Sequence, residues 1–292
     1  MVYIRNKKVK GIDYAYLVQS VWDPKRNISI QHTIKYLGKA SQVTIEDIPE
    51  EYRNNTQILA FISAFSSYHR ETKQLISKIQ EEMFMLLNDC NISGLVDIYD
   101  KYSRLFGLSD FYDKLLKPAM YRIGDLWQKG QLDVASEHAS TNAAISLVKI
   151  INERITTRTR CQESSSKYKA VICTPDGELH GLACNMIESL LLKNGFKVYN
   201  ISTSIPTDEG IQYIHDVRPD IFFISVTLSE NIRSAQRLIQ QIQTKYNNKL
   251  PVVVGGSAFN NRNHYLNSIT STFLMKESSF NDIMKLVKAS IK

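Results

Sequence analysis

The sequence predicts a multidomain protein with a small N-terminal β module, a four-helix bundle and a C-terminal α/β domain built on a parallel sheet. Three observations predict this. β-branched and aromatic runs dominate residues 1–54, apolar residues recur with a period near 3.6 between about 55 and 160, and short apolar runs alternate with helical stretches after 168. A chain of 292 residues is long enough for two or three such units.

The N-terminal module, residues 1–54, is expected to be a small antiparallel sheet. Residues 14–21 and 28–36 are rich in strand-forming residues and flank a turn with Asp23-Pro24 and Asn27, which predicts a hairpin. Residues 2–5 offer a third strand. Aromatic side chains interleave with basic ones, and they either stack on nucleic-acid bases or form a small core. In so short a sheet we expect the small core. These aromatic residues are Tyr3, Tyr14, Tyr16, Trp22 and Tyr36.

The charge of the chain is concentrated at its N-terminal end. The formal net charge is +7, and residues 1–40 carry eight basic side chains against two acidic ones, a net charge of +6. A small basic module on a nearly neutral body is typical of a protein that docks on polyanions. DNA is therefore a candidate partner through residues 1–40. A basic surface that is merely solvated is an equally weighted alternative.

Composition argues against membrane and secreted classes. There is no run of eighteen apolar residues, and the basic, mixed N-terminal stretch does not look like a signal peptide, so we expect a cytoplasmic protein without membrane contact. The cysteines are widely spaced and show no CxxC, which favours buried small hydrophobic residues over disulfides or a zinc site. They are Cys90, Cys161, Cys173 and Cys184.

The middle of the chain is predicted to be helical. A linker helix is expected within 55–74, followed by a bundle over 75–160 whose first two apolar stripes start at Leu75 and end at Leu105. A third helix over 110–128 is expected to be capped by Ser109 and bent at Pro118, and Gly130 separates it from a fourth over 134–155. Short connections between such helices favour an antiparallel bundle.

The last region, residues 169–292, changes to alternating strands and helices. Buried-type strands are expected at 170–173, 198–201, 221–227, 252–254 and 273–275. Helices are expected at 182–193, 207–215, 229–246 and 280–291. This order predicts a parallel sheet with helices on both faces and a ligand site at the carboxyl ends of the strands. The serine-rich segment 161–168 is interpreted as a flexible hinge between bundle and sheet.

Polar and small residues follow three of these strands. In the loop after the first strand, Glu178 could hold one ring nitrogen of His180 and leave the other for a metal, although a single loop histidine is more often an ordinary surface residue. Hydroxyl side chains close the third strand and a glycine pair closes the fourth, which would leave a slot with hydrogen-bonding groups. The residues in question are Gly181, Ser225, Thr227, Ser229, Gly255 and Gly256.

Taken together, Glu178-x-His180, Ser225-x-Thr227 and Gly255-Gly256 resemble the signature of cobalamin-binding Rossmann-like (flavodoxin-like) domains. The resemblance implies that His180 is the lower axial cobalt ligand and that the nucleotide tail of the cofactor enters the slot. The upstream helices resemble the cap domain of methionine synthase, of corrinoid methyl carriers and of light-sensing regulators. The resemblance covers about residues 75–290.

A second motif lies in the bundle. Leu116-x-Pro118-x5-Gly124-x-Leu126-Trp127-x2-Gly130, followed by Glu137-His138, looks like the W-x9-EH pattern of adenosylcobalamin-dependent, CarH-type light-sensing transcription regulators. That resemblance implies that Trp127 covers the adenosyl group and that Glu137 and His138 contact it. Glu178 in place of the Asp usual in methyl-transfer proteins points the same way.

Two positions depart from the family pattern. Ala183 stands where a glycine is usual, and Gln128 stands where a histidine can capture cobalt after photolysis. The usual MerR-type winged helix is absent, and the basic β module stands in its place.

These resemblances predict a non-enzymatic sensor, a photoreceptor that binds adenosylcobalamin and regulates transcription through its N-terminal module. The alternative is a corrinoid methyl-carrier protein of a cobalamin-dependent methyltransferase system, for which methylcobalamin would be the cofactor. Methylcobalamin is the less expected of the two. A cobalamin-storage protein is a third reading, and homo-oligomer formation is left open.

Overall fold

The computed structural model describes residues 2–9, 11–24, 28–160, 168–259, 272–275 and 279–290, without the side chains of 63–73, 159–160 and 274–275. The chain divides into two compact units, Met1–Lys78 and Ile79–Lys292. The hinge expected at 161–168 lies outside the described residues except for Tyr168, which begins a strand.

The first unit contains a three-stranded antiparallel sheet in the order β1-β2-β3. Its strands are β1 (Val2–Val9), β2 (Ile12–Asp23) and β3 (Ile28–Lys39). The predicted hairpin and third strand are therefore confirmed, and each strand is longer than expected. The register of β3 shifts twice against β2, between Ala15 and Tyr16 and between Leu17 and Val18. The turn residues 25–27 lie outside the description.

One face of this sheet is covered by the chain that follows it. Ile4, Ala15 and Leu17 are buried against a cluster that includes Ile48 and Ile58. Because side chains alternate along a strand, the strand register places all five aromatic residues of the sheet on the opposite face. The expectation that these aromatic residues form a small core is therefore wrong. Aliphatic side chains from residues 40–62 complete the core instead.

Four α-helices follow. They are α1 (Thr56–Asn88), α2 (Ile92–Phe111), α3 (Lys117–Gln128) and α4 (Val134–Arg160). The separately predicted linker helix and first bundle helix are one continuous helix α1, whose first backbone N–H groups are capped by the Asn55 side chain. The predicted burial of two residues in the apolar stripes is wrong, since Leu75 and Leu105 are exposed. The predicted burial of Cys90 is also wrong, because Cys90 is exposed.

The segment between α2 and α3 differs from the expected bent helix. The backbone breaks at Gly107 (φ 84°, ψ 172°), two residues before the predicted Ser109 cap, and residues 112–116 form a π-helical turn. Pro118 lies inside a helical stretch that runs from the π-helical turn into α3 without a break. Because Pro118 has no N–H, the Lys114 carbonyl accepts the Gln80 side-chain amide at 2.6 Å instead.

The C-terminal part of the second unit is a parallel five-stranded sheet in the order β5-β4-β6-β7-β8. Its strands are β4 (Tyr168–Cys173), β5 (Phe196–Asn200), β6 (Ile221–Ser225), β7 (Val252–Gly255) and β8 (Thr272–Met275). Its helices are α5 (Leu182–Lys193), α6 (Thr207–Val217), α7 (Ile232–Lys245) and α8 (Phe280–Ser290). The predicted α/β architecture is confirmed. Counted along the domain the order is 2-1-3-4-5, so the strand order reverses between β4 and β6, where such sheets bind ligands.

Both faces of this sheet are buried. Val171 and Phe222 face the side of α6 and α7, whereas their neighbours Ile172 and Phe223 join a core shared with the bundle. At that shared core the Tyr112 hydroxyl donates a hydrogen bond of 2.7 Å to the Ser189 hydroxyl of α5. The bundle helices therefore pack directly on the α/β layer. Within the described parts of the chain, no helix is long and apolar enough to cross a membrane.

Candidate functional site

A cavity of about 640 Å³ lies in the second unit, between α3, α4 and the carboxyl ends of β4, β6 and β7. Nine of the eleven residues predicted for the site line it. They are Trp127, Glu137, His138, His180, Gly181, Ser225, Thr227, Gly255 and Gly256. Glu178 is buried behind the wall, and Ser229 lies in an exposed 3-10 turn that does not reach the cavity. The two predicted motifs, from bundle and sheet, thus face one space.

The Glu178 side chain is fully buried and joins two loops. Its Oε1 contacts His180 Nδ1 at 2.5 Å and accepts the His180 backbone N–H at 3.1 Å. Its Oε2 accepts backbone N–H groups from Thr227 and Leu228, both at 2.9 Å, and the Asn231 side-chain amide at 3.1 Å. Burial raises the pKa of this carboxyl, but the hydrogen bonds from His180, Leu228 and Asn231 outweigh it and lower the pKa to about 2. Glu178 is therefore ionised.

An ionised carboxylate only accepts hydrogen bonds, so the proton of the His180 ring sits on Nδ1. Nε2 has no hydrogen-bond partner within the described parts of the chain, and the side chain is half exposed and lines the cavity. The hydrogen bond to Glu178 raises the pKa of His180 against the effect of burial, and the charge of Glu137 adds to the rise. A metal at Nε2 would compete with a proton, because coordination needs the neutral ring.

The loop between β4 and α5 is held rigidly around Glu178. The Thr174 hydroxyl donates to the Glu178 carbonyl at 2.7 Å, and the Ser204 N–H donates to the same carbonyl at 3.0 Å. Gly177 has a positive φ of 85°, and its N–H donates to the Ser204 hydroxyl at 3.0 Å. The neighbouring β5–α6 loop thereby fixes the turn that presents His180.

The end of β7 lies very close to the backbone after β6. A Cβ on Gly256, whose φ is +117°, would stand 2.0 Å from the Val226 carbonyl oxygen, so only glycine fits there. The Ser257 hydroxyl donates to the Thr227 carbonyl at 3.0 Å. With no side chain at Gly255 or Gly256, this end of the cavity stays open beside the Ser225 and Thr227 side chains.

The bundle wall is set by the start of α4. Asp133 caps this helix by accepting the Ser136 N–H at 2.9 Å. In the first turn, Glu137 contacts His138 Nδ1 at 2.5 Å and accepts the Thr141 hydroxyl at 2.9 Å. Trp127 is the last residue but one of α3, and it lines the cavity together with Glu137 and His138.

The two positions that depart from the family pattern also face this space, since Gln128 and Ala183 both line the cavity. The sequence did not identify Asn231, which is 8% exposed and completes the Glu178 network. An Asn at a helix start is an ordinary cap, so no local signal marks it. Apolar lining residues were missed as well, because their spacing is that of any core: Met120, Tyr121, Met186, Ile187 and Ile283.

The protein side chains at this site suit a metal that is already held by most of its ligands within a cofactor. Among the residues described there is no group of three or more His, Cys, Asp or Glu side chains able to hold a metal ion. A protein-built zinc site needs three or four such ligands. A single imidazole that is oriented by a buried carboxylate and faces the cavity suits a metal cofactor that needs only one protein ligand.

Comparison with known proteins agrees with the expectation of a metal-containing cofactor at this site. Two family models described as B12 binding domain match residues 168–269 and 79–152. Methionine synthase of Mycobacterium tuberculosis is 24% identical over 144 residues, which are 49% of this chain and 12% of that protein. Dimethylamine corrinoid protein 1 of Methanosarcina mazei is 18% identical over 181 residues, which are 62% of this chain and 82% of that protein. The chain thus spans most of the corrinoid protein but a small part of the synthase.

The fold is shared with a solved structure, that of the Methanosarcina barkeri monomethylamine corrinoid protein. The TM-score is 0.58 at 12% identity, over 72% of this chain and 97% of that one. The similarity to CarH-type regulators expected from the bundle motif is not confirmed by these comparisons. The chain carries B12-binding domains in its helical and α/β parts, has corrinoid proteins among its homologues, and takes cobalamin as its cofactor.

Proposed function

We propose that the chain is the corrinoid subunit of a cobalamin-dependent methyltransferase system, which carries a methyl group between partner methyltransferases. The observation that supports it most is the Glu178–His180 pair, which lies where the strand order of the sheet reverses and faces the cavity that α3 and α4 also line. When bound, cobalamin supplies a cobalt atom that accepts and releases the carried group. The names of the corrinoid relatives support this function over a photoreceptor.

The residues of the chain would divide the work as follows. His180 would bind cobalt through Nε2, and Glu178 would keep the proton on Nδ1 so that Nε2 stays available. Ser225, Thr227 and the glycine pair would receive the nucleotide tail, since their end of the cavity is open and lined by hydroxyl groups. Ser229 has no part in this proposal.

Helices α3 and α4 would hold the cofactor from the bundle side. Trp127 and Glu137 would exclude water from the reacting face, and His138, whose side chain is 71% exposed, would lie at the rim.

A second candidate is the adenosylcobalamin photoreceptor, acting through the N-terminal module. One observation favours it, since Trp127, Glu137 and His138 line the same cavity as His180, and Glu137 lies near enough to influence the pKa of His180. An acid–imidazole pair beside an indole offers hydrogen-bond acceptors and a flat apolar face, which suit a nucleoside.

The test is a titration of the purified chain with methylcobalamin and adenosylcobalamin in the dark, followed by absorption spectroscopy. His180→Ala should weaken both complexes and abolish the spectrum of the His-ligated cofactor. His215→Ala, on the exposed face of α6, should change neither. An unchanged spectrum in His180→Ala would remove the ligand assignment.

The same complexes separate the two functions. For a carrier, methylcobalamin binds at least as tightly as adenosylcobalamin, and Trp127→Ala affects both alike. For a sensor, adenosylcobalamin binds more tightly, Trp127→Ala removes that preference, and illumination changes the oligomeric state. The results expected for a sensor would overturn the carrier function and support the photoreceptor function.

A further inference from the structure

The strand register of the N-terminal sheet separates its side chains by chemistry. Tyr3, Tyr14, Tyr16, Trp22 and Tyr36 all lie on one side, which we call the aromatic face. The cross-strand partners are consistent with this arrangement, since the rings of Tyr16 and Tyr36 are 5.1 Å apart and those of Tyr14 and Tyr36 are 6.3 Å apart. On the opposite side, Ile4, Ala15 and Leu17 are covered by the chain's own residues 40–62, whereas Val21 toward the hairpin end is 45% exposed.

Charges are separated in the same way. Arg5 pairs with Tyr16, and Lys7 and Lys39 both pair with Tyr14, so these three exposed cations lie on the aromatic face. The two acidic residues of the described strands, Asp13 and Asp23, fall on the opposite side by the same alternation. The aromatic face therefore carries three positive charges and no negative one among its described residues.

We propose that the aromatic face binds a single-stranded nucleic acid. Exposed rings with a fixed orientation, interleaved with cations, are what a flexible strand of bases and phosphates requires. Trp22 and Tyr36 are 58% and 53% exposed and offer flat surfaces for bases, while Arg5, Lys7 and Lys39 follow the phosphates. In a duplex the base faces are stacked on one another, so a flat aromatic surface has nothing to stack on.

Several polar side chains of this face are already engaged with one another. Gln31 accepts a hydrogen bond from Arg5 at 2.7 Å and donates one to the Tyr3 hydroxyl at 2.6 Å, and the hydroxyls of Ser20 and Ser29 contact each other. Discrimination between ribose and deoxyribose needs groups that reach the 2′-hydroxyl. The face is therefore expected to bind DNA and RNA single strands alike.

The test uses the full-length chain and labelled oligonucleotides of roughly 12 nucleotides, a length within the usual site size of such sheets. Fluorescence anisotropy at low salt should show binding to oligo-dT and oligo-U with affinities that agree within about threefold, and weaker binding to a blunt duplex. A duplex that binds more tightly than the single strand, or no binding at low salt, would overturn the proposal.

Two matched pairs of variants locate the surface. Tyr36→Ala should lower the affinity about 5- to 100-fold, whereas Tyr36→Phe, which keeps the ring, should retain it. Lys7→Ala should lower the affinity and reduce the salt slope of binding by about 0.7, whereas Lys8→Ala, its neighbour on the opposite side of β1, should leave the slope unchanged. Equal effects within either pair contradict the assignment.

Association of two copies is the competing use of an exposed aromatic surface. Light scattering across a concentration series decides this point, with circular dichroism to confirm that each variant is folded. A dimer that dissociates in Trp22→Ala and fails to bind oligonucleotides would assign the surface to self-association instead.

Discussion

Replacement of Glu178 by Gln tests the hydrogen bond between Glu178 and His180, because Glu and Gln have the same shape but different hydrogen-bonding groups. The Glu178 carboxylate accepts five hydrogen bonds, two at Oε1 and three at Oε2. A Gln side chain has one accepting oxygen and one donating NH2 group. The oxygen should turn toward the three donors of the β6 loop, which places the NH2 group against His180.

Two consequences follow for His180. Its backbone N–H loses a buried acceptor, and its ring must accept from the new NH2 group, which moves the ring proton from Nδ1 to Nε2. An unsatisfied buried donor costs about 1–3 kcal/mol, and the hydrogen bonds that remain become weaker neutral ones. We expect a loss of about 3 kcal/mol in the free energy of unfolding.

The effect on cobalamin is separate from the effect on stability. With a proton on Nε2, His180 has no lone pair for cobalt, and loss of such an orienting partner typically lowers metal affinity about 10- to 100-fold. The assay is cofactor titration monitored by the absorption spectrum, with thermal unfolding of the cofactor-free protein alongside. Glu209→Gln, an exposed charge change on α6, is the control and should alter neither. A Glu178→Gln protein with normal stability and a His-ligated spectrum would refute the reasoning.

Three further outcomes are expected. Gly256→Ala should lower the free energy of unfolding by at least about 3 kcal/mol, because its Cβ would overlap a carbonyl oxygen and the backbone has a positive φ. Gly195→Ala, at φ +80° but with open space around it, should lower the free energy of unfolding by only about 1 kcal/mol. Equal losses in chemical denaturation would contradict this reasoning. Tyr112→Phe should cost about 1 kcal/mol in the same assay through the lost hydrogen bond to Ser189, and no change would show that the two helical layers do not depend on it. Burial raises the pKa of Cys184 to about 12, so peptide mapping at pH 8 should find it unalkylated in the native protein and alkylated after unfolding; native reactivity would contradict its buried position.

The overall architecture could be predicted from the sequence because each part has its own period. Short apolar runs such as 170–173 and 221–225 are buried on both faces, which is what the structure shows for β4 and β6. The irregular elements could not be predicted. The π-helical turn at 112–116 ends just before Pro118, whose missing N–H indicates an irregular helix. The sequence does not show whether the chain responds with a bend, a break or a π-helical turn.

The N-terminal sheet shows a different limit. The even numbers of Tyr14, Tyr16 and Trp22 place them on one side of β2, and the odd numbers of Ala15 and Leu17 place these on the other. The sequence therefore shows that the aromatic and the aliphatic residues of β2 lie on opposite sides of the strand. It does not show which side is covered, because the covering residues come from 40–62 and their position depends on tertiary packing.

The site is accounted for by the strand order. β4 lies between β5 and β6, so the loop that carries Glu178 and His180 is flanked by the loops that follow those two strands. The β5 loop fixes the turn through Ser204, and the β6 loop supplies two N–H groups and Asn231 to the carboxylate. A buried charge is tolerated only when its hydrogen bonds are complete. Glu178 can therefore stay ionised and orient His180 only once the parallel sheet has formed. For this reason two residues in one short loop are a weak signal in the sequence but form a well-defined site in the folded protein.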